Sequence, residues 1–283
     1  MSNTSLEDRS DSNSSWFGHP RQLARLFTTE MWERFGYYGM RALLTLYLAQ
    51  HFLFNDNVTN GLYGAFTSLV YLTPLFGGLL ADQYLGYKRS VKFGAILMAI
   101  GYLMLCFGGE MAKPFMQYEG KRYDVQIKQV DKEVVVEGKA TVNTVSLKLV
   151  TIDGFQYEID SHDDGSLHLI GEANERTLAK GSFIFDGERK QLWVNLMFLA
   201  LSCVIVGNGF FKPNISTMVG SLYSKSDSRR DAGFTIFYMG INMGSMISQF
   251  LCPLFQVWFG FWAGFLLAAV GMSPSPPVRE TRR

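Results

Sequence analysis

Six apolar stretches, almost free of charged side chains, dominate this 283-residue sequence. A helix that crosses a bilayer needs about 20 mostly apolar residues. The candidate spans are residues 27–53, 61–82, 91–109, 192–223, 231–256 and 258–272. Runs of this kind exclude a collagen-like or wholly disordered chain. They predict an all-α transmembrane bundle of six helices.

The basic residues cluster at alternate ends of these spans. Twelve lysines and arginines lie before the first span, between the second and third, between the fourth and fifth, and after the sixth, whereas residues 54–60 and 256–259 contain none. Because basic residues accumulate in cytoplasmic loops, we expect a multi-pass protein of the cell (inner) membrane with a cytoplasmic N-terminus. The near balance of 26 basic and 25 acidic residues argues against a nucleic-acid partner.

A polar segment, residues 110–190, interrupts the apolar pattern with 15 acidic and 11 basic side chains. Parts of it alternate polar and apolar residues, and Asp153-Gly154 and Asp164-Gly165 supply turn residues. We therefore expect a small, mostly antiparallel, β-rich insert, which the loop charges place outside the cytoplasm. The expected organisation is a disordered cytoplasmic leader (1–20), transmembrane helices 1–3 (21–109), the insert (110–190), transmembrane helices 4–6 (191–272) and an atypical cytoplasmic tail (273–283).

The first span carries charges that a lipid-facing helix would not. A charge at the centre of a spanning helix costs about 2.5–3.5 kcal/mol, so such residues face a bundle interior or a water-filled cavity. Six polar residues are spaced so that they lie on one side of a helix. They are Glu30, Glu33, Arg34, Tyr37, Tyr38 and Arg41. Leu43, Leu44 and Leu46 are predicted to help cover the lipid side. The alternative is a helix that neutralises itself through a Glu30–Arg34 pair near the membrane surface.

Polar residues on three other spans lie at comparable depth. Helical rise places Lys212, Asn242 and Tyr71 roughly 15, 16 and 18 Å from the cytoplasmic ends of their spans, and Arg34 roughly 10 Å. A carboxylate pair and a lysine in one layer are natural partners, since breaking a buried pair costs about 3–5 kcal/mol. The alternative to a functional site is a static ion-pair network that holds the bundle together.

The charged stripe also resembles a family signature. The run Glu30-Met-Trp-Glu33-Arg34-Phe-Gly-Tyr37-Tyr38-Gly39 resembles the ExxERFxYYG motif of the proton-dependent oligopeptide transporter family (POT, or PTR2), a branch of the major facilitator superfamily. The run 78–89, GLLADQYLGYKR, is similar to the superfamily's loop between its second and third helices, with Gln83 where a basic residue is usual. Residues 209–214 and 237–245 resemble further peptide-transporter signatures. The resemblance covers residues 18–109 and 191–270 and leaves out the insert.

This resemblance implies the six-helix half of a major facilitator fold and a role for each matching residue. Residues that match proton-coupling positions are Glu30, Glu33, Arg34 and Lys212. Candidate substrate-binding residues are Arg34, Tyr38, Arg41, Lys212 and Asn242. Tyr71 is added to these candidates because it lies at a similar depth in its span. Residues that match the gating loop are Gly78, Asp82, Gly86, Lys88 and Arg89.

The implied function is a proton-coupled di-/tripeptide symporter whose partners are peptides, protons and the lipid bilayer. Members of the family place their pocket between two six-helix halves, so we expect a truncated N-terminal half that lacks its C-terminal half. No catalytic constellation or metal-ligand spacing is visible; we predict no enzyme activity, no metal and no cofactor besides the coupling protons. The alternative function is a membrane-anchored receptor or binding protein that acts through the extracytoplasmic β module.

Overall fold

The structure, a computed structural model, describes residues 15–136, 139–161, 166–171 and 174–272. The described residues fall into two compact units. The helical unit comprises residues 15–48, 56–109 and 191–272. The β unit comprises residues 49–55 together with the described part of 110–190.

The described part of the helical unit contains six α-helices, which pack in two groups. They are α1 (Arg21–Leu46), α2 (Asp56–Leu80), α3 (Tyr87–Leu105), α4 (Gln191–Gly220), α5 (Arg230–Phe259) and α6 (Phe261–Gly271). Short π-helical turns follow α1 (Tyr47–His51) and α2 (Ala81–Leu85). Helix α1 packs against α5 and α6, while α4 packs against α2 and α3. Helix α3 also contacts α6, so the two groups meet along their sides.

Small residues bring these helices into close contact. Gly244 of α5 lies directly against the backbone carbonyl of Met31 on α1. In the other group, Gly94 of α3 lies against the carbonyl of Gly207 on α4. A methyl group at either glycine would overlap a backbone oxygen. Lipid provides no hydrophobic drive for helices to associate, so close backbone packing at small residues supplies much of the attraction.

A short hairpin precedes α1. Strand β1 (Ser15–Trp16) pairs antiparallel with β2 (His19–Pro20). His19 Nδ1 lies 2.8 Å from the Tyr223 hydroxyl in the α4–α5 loop, and Arg229 donates a 3.0 Å hydrogen bond to the Gly18 carbonyl oxygen. The predicted disordered leader is therefore wrong for the residues of this hairpin, whose backbone is paired and whose His19 is buried. Residues 1–14 of that prediction lie outside the described residues.

A seven-stranded antiparallel sheet forms the described part of the β unit. Its strands are β3 (Lys113–Tyr118), β4 (Lys121–Val136), β5 (Lys139–Ile152), β6 (Phe155–Ser161), β7 (Leu167–Gly171), β8 (Glu175–Leu178) and β9 (Phe183–Glu188). Strands β3 to β8 follow one another across the sheet, and β9 returns to pair with β3. Inward-facing side chains, among them Val150, Tyr157 and Leu169, form its hydrophobic core.

The β5–β6 connection confirms the predicted Asp153-Gly154 turn. Ile152 pairs with Phe155 across it, and Asp153 and Gly154 have φ angles of 51° and 87°. Two successive positive φ values define the type I′ turn that matches the twist of a hairpin. The second predicted turn, Asp164-Gly165, lies outside the described residues.

Arg189 ties residues 49–55 into the β unit. It donates hydrogen bonds to the carbonyl oxygens of Phe52 (2.5 Å) and Leu53 (2.9 Å) and forms an ion pair with Asp186. Its guanidinium carbon lies 4.4 Å from the centroid of the Phe54 ring. The segment that joins α1 to α2 is thereby held by a residue that lies two positions before α4.

Exposed ion pairs surround the same strands. Glu188 pairs with Arg122, whose hydrogen bond lowers the pKa of the Glu188 carboxyl. Glu110 lies 3.0 Å from Lys190, which lowers the pKa of that carboxyl in the same way. Both acids are solvent-exposed, so these pairs contribute little to stability.

The prediction of an all-α bundle of six spans with a small β insert is wrong. The described chain combines helices with a seven-stranded sheet that forms a compact unit of its own, and its two longest strands have 16 and 14 residues. Within the described residues, two helices are long and apolar enough to count as candidate spans, Asp56–Leu85 and Gln191–Gly220. Helix α6 has 11 residues, too few to cross a bilayer core of about 30 Å. Counting apolar runs assigned one span to each run and underestimated the sheet.

The close contact at Gly244 yields a test of the helix packing. Gly244→Ala should lower the free energy of unfolding by about 1–3 kcal/mol, the usual cost of overpacking, because the new methyl group meets the Met31 carbonyl. The matched control is Gly64→Ala on α2, where an added methyl group meets nothing within 4 Å. The measurement is the thermal midpoint of both variants in detergent. Equal midpoints for the two variants would contradict the packing.

Candidate functional site

The charged residues of α1 lie inside the helical unit. Glu30, Glu33 and Arg34, called here the Glu–Arg cluster, are 2%, 1% and 3% exposed. Arg34 Nε lies 3.2 Å from Glu30 Oε1 and also bonds to the Glu33 carboxylate. Buried charges are tolerated when they are paired and hydrogen-bonded. A guanidinium shared by two carboxylates allows α1 to bury all three groups.

Helices of the other group complete the surroundings of the cluster. Asn208 of α4, which is fully buried, points its Nδ2 at Glu33 Oε1 over 3.5 Å. Tyr102 of α3 is also fully buried and packs against Gly36, two residues beyond Arg34 on α1. The Glu–Arg cluster therefore lies where α1 meets α3 and α4, between the two helical groups.

Lys212 of α4 interacts with the cluster through space. Its Nζ lies 5.2 Å from the centroid of the Tyr71 ring on α2, and the residue is half-buried. Electrostatic interactions connect it to Arg34, Glu33 and Glu30. Because the Glu–Arg cluster has two carboxylates and one guanidinium, Lys212 supplies the second positive charge that balances them.

The remaining predicted binding residues are more exposed. Arg41 Nε donates a 2.6 Å hydrogen bond to the Tyr63 hydroxyl and is half-buried. The rings of Tyr37 and the half-buried Tyr38 lie 5.3 Å apart, edge to face. Tyr71 is 62% exposed, and its hydroxyl interacts electrostatically with Tyr37 and Arg41.

The structure thus brings most of the predicted site together and leaves one residue apart. The residues linked by the described contacts are Glu30, Glu33, Arg34, Tyr38, Arg41, Tyr71 and Lys212. Asn242 of α5 is exposed. Among the described residues, no side-chain hydrogen bond or ion pair joins it to the others.

The prediction for the opposite side of α1 is wrong for Leu43 and Leu44. Leu43 and Leu44 are completely buried, and Leu46 is 42% exposed. The Leu43 side chain lies against Gly264 of α6, so a helix covers the surface that we assigned to lipid. Apolar side chains suit a neighbouring helix and a lipid chain equally well, and the sequence could not separate the two.

The predicted gating-loop residues lie where α2 passes into α3. A Cβ at Gly78 would lie 3.6 Å from Pro213 of α4. Gly86 precedes α3 with a φ angle of 72°, which other residues adopt only with strain. Asp82 interacts with the Tyr87 hydroxyl. Lys88 and Arg89 are exposed in the first turn of α3.

Sequence reasoning missed three residues of this site: Asn208, Tyr63 and Tyr102. Asn208 had a usable signal, because an amide inside an apolar helix normally faces a polar partner. Tyr63 and Tyr102 had none, since tyrosine is common at membrane depth and along helix surfaces. Their partners are on other helices and become apparent only after packing.

The chemistry that this arrangement supports is proton exchange and anion binding. A carboxylate beside a cation and a second carboxylate changes its protonation when those neighbours move. The partly exposed cations Lys212 and Arg41 are suited to bind a ligand carboxylate. Among the described residues, no group of three or more His, Cys, Asp and Glu side chains is placed to hold a metal ion.

Comparison with known proteins gives consistent matches. The profile described as the POT family matches residues 88–275. The chain is 32% identical over 278 residues to a di-/tripeptide transporter of Lactococcus lactis subsp. lactis, covering 94% of this chain and 38% of the relative. It is 31% identical to the peptide transporter YePEPT of Yersinia enterocolitica, covering 91% of this chain and 36% of the relative.

Solved structures agree with these relatives. The crystal structure of a peptide transporter POT in complex with sulfate matches with a TM-score of 0.60 and 27% identity, over 91% of this chain and 37% of that one. A POT family transporter in complex with 5-aminolevulinic acid matches with a TM-score of 0.60 and 26% identity, over 93% of this chain and 38% of that one. These matches confirm the resemblance seen in the sequence. The chain spans about 38% of the length of its first relatives.

The buried cluster predicts a pH-dependent loss of stability. Arg34→Met should lower the free energy of unfolding by about 3–5 kcal/mol at neutral pH, because it leaves buried carboxylates without their partner. The loss should shrink at acidic pH, where the glutamates bind protons and lose their charge. Thermal midpoints of the detergent-solubilised protein at neutral and acidic pH measure this difference.

The control is Arg41→Met, which removes a half-buried arginine bonded to the neutral Tyr63 hydroxyl. Its effect should be smaller and nearly independent of pH. If Arg34→Met lowers the free energy of unfolding no more than Arg41→Met does, or by an amount that does not change with pH, then charge does not stabilise the cluster.

Proposed function

The chain belongs to the POT family, and on that premise we propose that it is the proton-coupling part of a di-/tripeptide symporter. POT transporters are integral membrane proteins, and the relatives that this chain matches are named as transporters of peptides. The observation that carries the proposal is the Glu–Arg cluster with Lys212 beside it. It joins proton-binding and anion-binding groups inside one bundle.

In the proposed mechanism, Glu30 and Glu33 are the proton carriers. While both are ionised, Arg34 is held by two carboxylates. A proton that binds to either carboxylate removes one negative charge and weakens one of these ion pairs. Arg34 and the nearby Lys212 then have an unbalanced positive charge, which favours the binding of an anion. Proton binding and anion binding thus assist each other.

The anion in this proposal is the terminal carboxylate of a peptide. Lys212 and Arg41 are its first ligands because both are partly accessible, whereas Arg34 is enclosed until a glutamate is protonated. The proposed walls of the binding site are Tyr38, Tyr71 and Asn242. Charge-assisted hydrogen bonds to a carboxylate are about twice as strong as neutral ones, so a peptide without this charge should bind poorly.

The rest of the carrier is also part of the proposal. Since the chain spans about 38% of its first relatives, we propose that a further portion, equivalent to the rest of their length, closes the peptide site. The gating-loop residues Asp82, Lys88 and Arg89 are proposed to control access from the cytoplasm. The proposed location is the cell (inner) membrane, with the N-terminus in the cytoplasm and residues 110–190 outside it.

Peptide recognition is tested by binding. The purified chain in lipid nanodiscs should bind dialanine, and dialanine amide should bind at least about tenfold more weakly, because a charge-assisted hydrogen bond contributes about 1.5–3 kcal/mol. Lys212→Met should abolish the preference, whereas Lys225→Met in the exposed α4–α5 loop should preserve it. Isothermal titration calorimetry measures both affinities. Equal affinity for acid and amide would contradict carboxylate recognition.

The same assay tests the receptor alternative. Deleting residues 112–189 removes the strands of the β unit and leaves the predicted site residues in place. Dialanine binding that survives the deletion supports the symporter. Binding that disappears, with normal membrane insertion, favours a receptor that acts through the β unit.

Proton coupling is tested in a chimera in which this chain replaces the matching part of the Lactococcus transporter. Glu33→Gln should abolish peptide accumulation driven by a proton gradient in liposomes, because the amide cannot carry a proton. Counterflow exchange, which moves no net proton, should persist. If the Glu33→Gln chimera accumulates peptide as well as the unsubstituted chimera does, the Glu–Arg cluster is a structural ion-pair network and does not couple protons to transport.

A further inference from the structure

Five buried polar atoms around the Glu–Arg cluster have no hydrogen-bond partner among the described residues. They are Glu30 Oε2, Arg34 Nη2, Tyr37 Oη, Tyr102 Oη and Asn208 Oδ1. The residues that carry them are at most 3% exposed. Buried polar atoms are nearly always hydrogen-bonded to protein or to ordered water, so these five atoms, which belong to residues at or beside the Glu–Arg cluster, need polar partners.

These atoms come from three helices that meet at the cluster. Asn208 is held by its contact with Glu33, and Arg34 by its bond to the same carboxylate. The Arg34 guanidinium carbon lies 5.3 Å from the Tyr37 ring centroid. Tyr102 packs on Gly36 and interacts electrostatically with Glu33, Arg34 and Tyr37. The orphaned atoms thus belong to residues that already touch or influence one another.

The chemistry of the atoms selects the species. Glu30 Oε2 and Asn208 Oδ1 accept hydrogen bonds, Arg34 Nη2 donates, and the two tyrosine hydroxyls do either. The two carboxylates are balanced by Arg34 and Lys212, so these four groups have no net charge that would favour a metal cation or an anion. A small neutral molecule that both donates and accepts matches the hydrogen-bonding chemistry of all five atoms. Water is that molecule, and a buried water typically makes about three hydrogen bonds.

We propose that these atoms bind an internal water cluster that solvates the ionised carboxylate of Glu30, and that Tyr102 and Asn208 are positioning residues for it. Water donates a hydrogen bond to Glu30 Oε2, which no described protein group does. The charged groups that act on Glu30 are Arg34 and Glu33 on α1 and Lys212 on α4. Helices α2, α3, α5 and α6, which also contact α1, add no further charged group to that set. Tyr102 and Asn208 add an uncharged polar contribution to the electrostatic effect of these charged groups.

The role of this water in proton coupling rests on the proposed function, whereas the presence of the water site does not. A water that stabilises the ionised glutamate lowers the pH at which the glutamate takes up its proton. Removing the water should therefore move the midpoint of Glu30 protonation to higher pH. The Tyr102 hydroxyl has no partner among the described residues, so Tyr102→Phe deletes a contact to water without breaking a described protein hydrogen bond.

The experiment is infrared difference spectroscopy of the full chain in lipid, titrated with acid. An O–H stretching band that shifts when H2¹⁸O replaces ordinary water identifies the internal water. The carboxylic C=O band that Glu30→Gln removes reports protonation of Glu30. Tyr102→Phe should weaken or shift the water band and raise the midpoint by about one pH unit, a tenfold change in proton affinity.

Two further variants complete the test. Asn208→Leu, of similar volume, should change both bands in the same direction as Tyr102→Phe. Tyr157→Phe deletes another buried hydroxyl without a described partner, in the core of the β unit, and should leave the Glu30 midpoint unchanged. The proposal is overturned if wild type shows no ¹⁸O-sensitive band, or if Tyr102→Phe and Asn208→Leu both behave like the control. The titration uses neither peptide nor a gradient, so a failure of the proposed transport function leaves this result readable.

Discussion

The pairing of one arginine with two glutamates governs the arrangement of the helical unit. Charges at membrane depth cannot face lipid without a large cost, so Glu30, Glu33 and Arg34 require that α1 be covered by protein. Helices α5 and α6 provide that cover on one side, and α3 and α4 on the other. The close contact at Gly244 brings α5 against the backbone of α1 at Met31.

The cluster also lies where the two helical groups meet. Asn208 reaches Glu33 from α4, and Lys212 influences both glutamates from the same helix. Within the described residues, the polar contacts that cross this boundary include that of Asn208 with Glu33 at the cluster and the hydrogen bond from Arg41 to the Tyr63 hydroxyl. The cluster therefore contributes a polar contact between the two groups of helices.

The β unit is held together by different forces. Its sheet is stabilised by backbone pairing and a one-sided apolar core, and its exposed ion pairs add little. Within this unit, Arg189 binds residues 49–55 through the backbone carbonyl oxygens of Phe52 and Leu53. The segment after α1 and the segment before α4 thus share one guanidinium. The chain therefore contains both helices and a large sheet, and the count of apolar runs gave no measure of the size of that sheet.

The amino-acid sequence by itself determined the family, the charged stripe of α1 and the lysine of α4, because charges inside apolar runs stand out against their neighbours. It also determined the Asp153-Gly154 turn, where positive φ angles demand particular residues. Tertiary structure alone decided that Leu43 faces another helix and Leu44 is buried, that Asn208 and Tyr102 face the cluster, and that Arg34 is enclosed while Lys212 stays partly accessible. Apolar and tyrosine side chains suit lipid and protein alike, so only packing selects their partners.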